Sequence, residues 1–153
     1  MAANTEGART MKRRDLLAAG AMLALVRPAS ATPVEMAAAI NHFTGGAKPQ
    51  TGKVKFDIAQ LIDNGNAVPV TVSVDSAVEN VRAIAIFTER NPQTDVAVFT
   101  LSPRSGKAEV STRIRLATSQ RLMAVARMAD GSYWSHSVDV IVALAACIEG
   151  EAP

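Results

Sequence analysis

The chain has 153 residues, with sixteen Lys or Arg against fourteen Asp or Glu, two His and a formal net charge of +2. One cysteine excludes an internal disulfide. One Trp, one Tyr and no basic cluster outside the first residues leave nothing from which to build a nucleic-acid-binding face.

Residues 1–31 read as a processing segment. They hold the basic stretch Lys12-Arg13-Arg14, an apolar run from Leu16 to Val26, and Ala29-Ser30-Ala31 as a small-x-small cleavage site. The run is about half the roughly twenty residues that spanning a bilayer requires, so no membrane anchor is expected in the mature form. Arg13-Arg14, followed by Asp15-Leu16-Leu17, fits a twin-arginine export signal or the ordinary charge of a general secretory one. Either route points to the periplasm, with cleavage between Ala31 and Thr32. Removing 31 of 153 residues leaves 122, enough for one compact domain and too few for two. It also takes away five of the sixteen basic residues and two of the fourteen acids, so the net charge of +2 belongs mostly to the leader.

Thr32-Pro33-Val34-Glu35 is a helix start. Threonine stands at the N-cap, proline at the first helical position and glutamate three residues after the threonine, completing a capping box. Met36, Ala39, Ile40 and Phe43 repeat at helical spacing, and Gly45-Gly46 stops the helix. From Gly52 the period changes to two. Val54, Phe56 and Ile58 share one face of a strand, and Asp63-Asn64-Gly65-Asn66 reads as a turn. Val68, Val70, Val72 and Val74 alternate with polar residues in the next strand. Residues 81–88 are apolar on both faces, and Asn91-Pro92 breaks that strand. Residues 96–101 form a further one. Residues 108–116 alternate cleanly, with Val110, Thr112, Ile114 and Leu116 inward and Glu109, Ser111, Arg113 and Arg115 outward. Residues 121–129 form another strand, Asp130-Gly131 is a hairpin turn, and a final strand runs over residues 138–144.

About seven strands without intervening helices predict an all-β, immunoglobulin-like antiparallel sandwich with one short N-terminal helix and a C-terminal cysteine arm. The expected division is a leader over residues 1–31, a sandwich over 32–144 and an arm over 145–153. The arm, Ala145-Ala146-Cys147-Ile148-Glu149-Gly150, presents the lone thiol about 10 Å beyond the strand end at an extended rise of about 3.3 Å per residue. A free cysteine is as often a small buried hydrophobe.

Other chemistries find little support. His42 and His136 lack a spaced carboxylate or cysteine, so no metal site or other cofactor is expected. Met123 and Met128 read as core filler rather than copper ligands. A Cys-His hydrolase would need His136 beside Cys147, roughly 35 Å away along extended chain. No phosphate-binding glycine loop is present.

Three stretches carry a family resemblance. The first is Thr51-Gly52-Lys53-Val54 with Asn64-Gly65-Asn66-Ala67-Val68-Pro69-Val70-Thr71-Val72-Ser73-Val74-Asp75-Ser76. The second is Ser105-Gly106-Lys107-Ala108-Glu109-Val110-Ser111-Thr112-Arg113-Ile114-Arg115-Leu116, and the third is Ala145-Ala146-Cys147-Ile148-Glu149. Together they resemble the SoxY family of periplasmic sulfur-carrier proteins, and within it the SoxY-related proteins with an AACIE arm. The resemblance implies a non-enzymatic carrier that pairs with a SoxZ-like sandwich subunit in a heterodimer. It also implies that Cys147 holds a sulfur intermediate of thiosulfate oxidation covalently for partners such as the SoxAX cytochrome and the SoxB hydrolase. SoxY arms end in Gly-Gly-Cys-Gly-Gly, whereas alanines precede the thiol here and Ile148-Glu149 follow it. An alternative is a non-covalent periplasmic module bound to a dehydrogenase or cytochrome, with a vestigial cysteine. A thiol redox protein would need a second cysteine.

Overall fold

The computed structural model describes residues 32–145. Among these, helix α1 (Pro33–Thr44) precedes nine strands: β1 (Gln50–Thr51), β2 (Val54–Asp57), β3 (Leu61–Asn64), β4 (Val68–Val74), β5 (Val81–Thr88), β6 (Asp95–Thr100), β7 (Glu109–Ile114), β8 (Gln120–Met128) and β9 (Tyr133–Leu144). The capping box forms as the sequence predicts. The Glu35 N–H donates to Thr32 Oγ1 at 3.4 Å, and the Thr32 N–H donates to Glu35 Oε2 at 2.8 Å. At the other end Gly45, at φ 64°, turns the chain out of the helix in the left-handed conformation that glycine adopts without strain.

One sheet runs β1-β9-β8-β5-β6, with β3 also hydrogen-bonded to β9, and the other runs β2-β4-β7. The seven strands read from the sequence correspond to β2 and β4 to β9. The two short additions, β1 and β3, both lie parallel to β9, pairing Gln50 with Trp134 and Leu61 with Ile141. Asp63 and Asn64, expected in a turn, are therefore the end of β3, and the turn itself is Gly65 and Asn66. Strand β9 also begins at Tyr133, five residues ahead of the expected start.

Alternation decides what fills the space between the sheets. Val68, Val70, Val72 and Val74 of β4 face Ile84 and Ile86 of β5 and Leu122 and Ala124 of β8 in one buried cluster. Each Val, Ile or Leu so buried contributes about 1.5–3 kcal/mol. Strand β5 is buried on both faces, because Ala85 and Phe87 on its outer side pack with Met36 of α1 and Val125 of β8. Phe43 of α1 stands edge-on to Phe87 at 5.9 Å and to Tyr133 at 6.1 Å. An apolar strand of this kind can signal a missing partner subunit. Here α1 supplies the cover, so the composition of β5 gives no reason to invoke one.

The edge of β9 poses a hydrogen-bonding problem. Strand β1 occupies it at Trp134 and Ser135 and β3 from Ile141 onward, while β2, between them in sequence, belongs to the opposite sheet. His136 stands in the gap, and the backbone N–H of Phe56 in β2 donates to its Nδ1 at 2.9 Å. The imidazole proton therefore sits on Nε2, and the ring joins the two sheets where the chain crosses over. Replacing His136 by Ala leaves the N–H of Phe56, a residue only 4% exposed, without a protein partner. We expect a loss of about 1–3 kcal/mol in urea unfolding. An unchanged unfolding midpoint would show that water takes over the imidazole's part.

Candidate functional site

Strand β9 outruns its neighbour. The last β8 residue in register, Gln120, pairs with Val140, and the four residues Ile141 to Leu144 continue with β3 on one side only. Successive N–H groups of a strand point to opposite edges, so this overhang needs two sets of partners. On the β3 side the Ile141 N–H donates to the Gln60 carbonyl at 2.8 Å, and the Leu144 carbonyl accepts from the Gly65 N–H at 2.8 Å. On the other side, where β8 has ended, the Val142 N–H donates to Ser119 Oγ at 2.8 Å. Gly65 is itself held, since its carbonyl accepts from the Leu116 N–H at 2.8 Å. The Asn64 side chain shapes its turn by accepting from the Asn66 N–H at 2.9 Å.

Ser119 lies in the β7–β8 connection, which a buried polar network fixes. Asn91 and Gln120 are 8% and 5% exposed. Asn91 Nδ2 donates to the Arg115 carbonyl at 2.7 Å, and its Oδ1 accepts from the Ala117 N–H at 3.0 Å and from Gln120 Nε2 at 2.9 Å. Gln120 Nε2 also donates to the Thr118 carbonyl, and Oε1 accepts from the Arg90 N–H at 2.8 Å. Two amide side chains thus lock the β5–β6 loop to the β7–β8 loop, and with it one end of the sandwich. No buried side-chain polar atom among the described residues is left unpaired, which is what lets such a network stiffen a structure. Beside it, Arg121 Nε and Asp139 Oδ1 form an exposed cross-strand pair at 2.9 Å. The hydrogen bond and charge of Asp139 raise the pKa of the guanidinium, and an exposed pair of this kind adds little to stability.

Of the residues singled out from the sequence, Ala145 is exposed and directly follows Leu144. Thr32 is the N-cap of α1. Ala146, Cys147, Ile148, Glu149 and Gly150, like Arg13, Arg14 and Ala31, lie outside the described residues. His136 faces Phe56 rather than the arm's end of β9. The residues that hold the end of β9, Gly65, Ser119, Asn91 and Gln120, carry no signal of that role in sequence. Asn64-Gly65 and Asn91-Pro92 mark turns and breaks there, but the distant strands they tie together are visible only in the fold.

A two-sheet immunoglobulin-like sandwich whose last strand outruns its neighbour and is pinned at its end defines the class. Residues 40–147 match the family model described as "Sulfur oxidation protein SoxY", and the chain belongs to that family. Its structure is similar to that of the sulfur carrier protein SoxY from Chlorobium limicola f thiosulfatophilum, at a TM-score of 0.60 and 30% identity, covering 72% of this chain and 98% of that one. It also resembles a superoxide reductase (neelaredoxin) from Ignicoccus hospitalis, at a TM-score of 0.52 and 16% identity over 74% of this chain and 94% of that one, which shows the fold alone. No curated protein matches the sequence.

If the root is pinned as the hydrogen bonds imply, Ser119→Ala releases the Val142 N–H without touching the core. Amide exchange at Val142 should then quicken on the order of tenfold, the equivalent of one hydrogen bond of about 1 kcal/mol, with the global unfolding midpoint nearly unchanged. Equal exchange in the two proteins would mean that β3 alone holds the overhang.

Proposed function

We propose that this protein is a periplasmic sulfur carrier that holds a sulfur intermediate covalently on Sγ of Cys147 and presents it to separate enzymes. The observation that supports this most directly is the family match, which runs from α1 through to Cys147. The pinned root of β9 adds to it, because a thiol three residues beyond Leu144 reaches about 10 Å from a fixed point. Joining a thiolate to the outer sulfur of thiosulfate forms an S–S bond and releases two electrons. A single cysteine cannot take these up as an internal disulfide, so an electron acceptor on another protein completes the step. The carrier is then a substrate of enzymes such as the SoxAX and SoxB types rather than a catalyst. A SoxZ-like sandwich is its expected subunit partner, on the strength of the family.

By residue type, the arm offers no group to activate the sulfur. Glu149 and Glu151 are close in sequence to Cys147, and no Lys, Arg or His follows Ser137. Nearby carboxylates disfavour the thiolate. Protein purified from cells grown on thiosulfate should show, by intact mass, a sulfur-containing adduct that Cys147→Ala removes. Alkylation of the free thiol should titrate at or above about 8.5, the ordinary value, and Glu149→Gln should lower that midpoint. An unmodified thiol in such cells, or a midpoint well below about 8, would sink the reading of a presented, partner-activated sulfur.

Export is proposed with cleavage after Ala31. That cut leaves the Thr32 nitrogen as an ammonium at a helix N-terminus, where the macrodipole opposes positive charge. Glu35 Oε2, 2.8 Å away, offsets it. N-terminal sequencing of periplasmic material should read Thr32 first, and a retained leader would overturn the proposal.

A further inference from the structure

Five large hydrophobic side chains stand exposed among the described residues, and three of them cluster at the arm's root: Leu61 at 66%, Ile141 at 63% and Leu144 at 66%. Leu61 and Ile141 are register partners, so their side chains stand together on one face. That is the outer face, because their neighbours Ile62 and Val142 turn towards the core between the sheets. Leu144 follows Val142 by two residues and shares its side, beyond the end of that core. The β9 overhang is therefore apolar on both faces, at the place where β8 no longer flanks it.

We propose that this two-faced overhang is the docking surface for the enzyme that makes or breaks the bond at Cys147. The partner is a protein with an apolar-walled cleft that closes over both faces of the strand end. The proposal rests on the carrier reading above, and arm length is what commits it to this occupant. Cys147 lies three residues beyond Leu144, about 10 Å of fully extended chain. A protein whose reacting groups meet the sulfur below its own surface must come down onto Leu144. Ile141 lies the same span behind it, with Leu61 alongside. A flat subunit interface on the outer face would cover Leu61 and Ile141 and leave Leu144 in water. A cleft covers all three. Because β3, Gly65 and Ser119 already hold the overhang in place, its docking requires little ordering of the carrier.

The test compares wild type, the double variant Leu61→Ser/Ile141→Ser, and Leu144→Ser, each replacing the native copy in the producing organism. Thiosulfate is added to the cells, and the rate of appearance of the Cys147 adduct is read by intact mass. All three side chains are solvent-facing, so unfolding midpoints and iodoacetamide alkylation of Cys147 should match wild type. Adduct formation should fall on the order of tenfold or more in both variants, as expected for losing apolar contacts at an interface. If wild type itself never carries an adduct, the carrier reading fails. If wild type is loaded and both variants are loaded equally fast, the carrier reading stands and the docking surface is refuted. Loss confined to the double variant would reveal a one-faced contact and overturn the cleft. Dissociation of a permanent subunit or of a second copy from the variants, seen as a lower native mass, would assign the patch to that interface instead.

Discussion

Gly65 carries two hydrogen bonds on which the end of the last strand depends. Its N–H holds the Leu144 carbonyl and its carbonyl takes the Leu116 N–H, each at 2.8 Å. Leu144 ends the last strand of one sheet, and Leu116 follows the last strand of the other. A single turn residue therefore joins the two layers at the end of β9. Without it, a strand that has outrun β8 would fray, since terminal segments with few partners open at little cost. Ser119 and the Asn91–Gln120 pair act on the same problem from the opposite edge. The end of β9 thus has a defined position, although only β3 continues beside it.

The same edge of β9 explains which parts of the structure were legible in sequence. Strands that bury one face against the core advertise themselves by alternation, as β4 and β7 do, because the pattern is local. Helix α1 is legible for the same reason, from its capping box and apolar stripe. Strands β1 and β3 are two and four residues long and owe their existence to parallel pairing with a strand near the other end of the chain. No periodicity can develop over so short a span, and Asp63-Asn64 carries the chemistry of a turn even while it sits in a ladder. The apolar faces of β5 were visible, but not what covers them. That required knowing that α1 folds back onto the outer side of the sheet, a contact which composition cannot specify.

For the candidate site, the cysteine and its distance in sequence from the last strand are legible, but what holds the end of that strand is not. Asn91 and Gln120 are ordinary loop and strand-start residues by type. Their importance comes from burial together, where an unpaired amide would cost about 1–3 kcal/mol and a paired one fixes two loops. His136 shows the converse. A histidine invites a catalytic reading, yet its Nδ1 is occupied by the Phe56 N–H where the chain changes sheets. Its role there follows from the topology of the edge and not from its chemistry as a base.

On the proposed reading, the composition of the arm acts together with the fixed end of β9. SoxY arms place glycines on both sides of the thiol, which gives a narrow segment with wide conformational freedom. Alanine in place of glycine reduces the freedom of the unbound chain by about 0.4–1 kcal/mol per position. Were a partner to take up the arm, as proposed, Ala145 and Ala146 would lower the entropy lost, at the expense of two added methyl groups in whatever channel received it. Ile148 and Glu149 widen the far side further. A channel shaped closely around glycine would reject those side chains, so on the proposed carrier reading a partner enzyme needs a wider passage than a glycine arm demands. A wider passage gives the arm less guidance, and contacts outside the channel must then take a larger part in recognition. The apolar strand end before the arm is well placed to supply them.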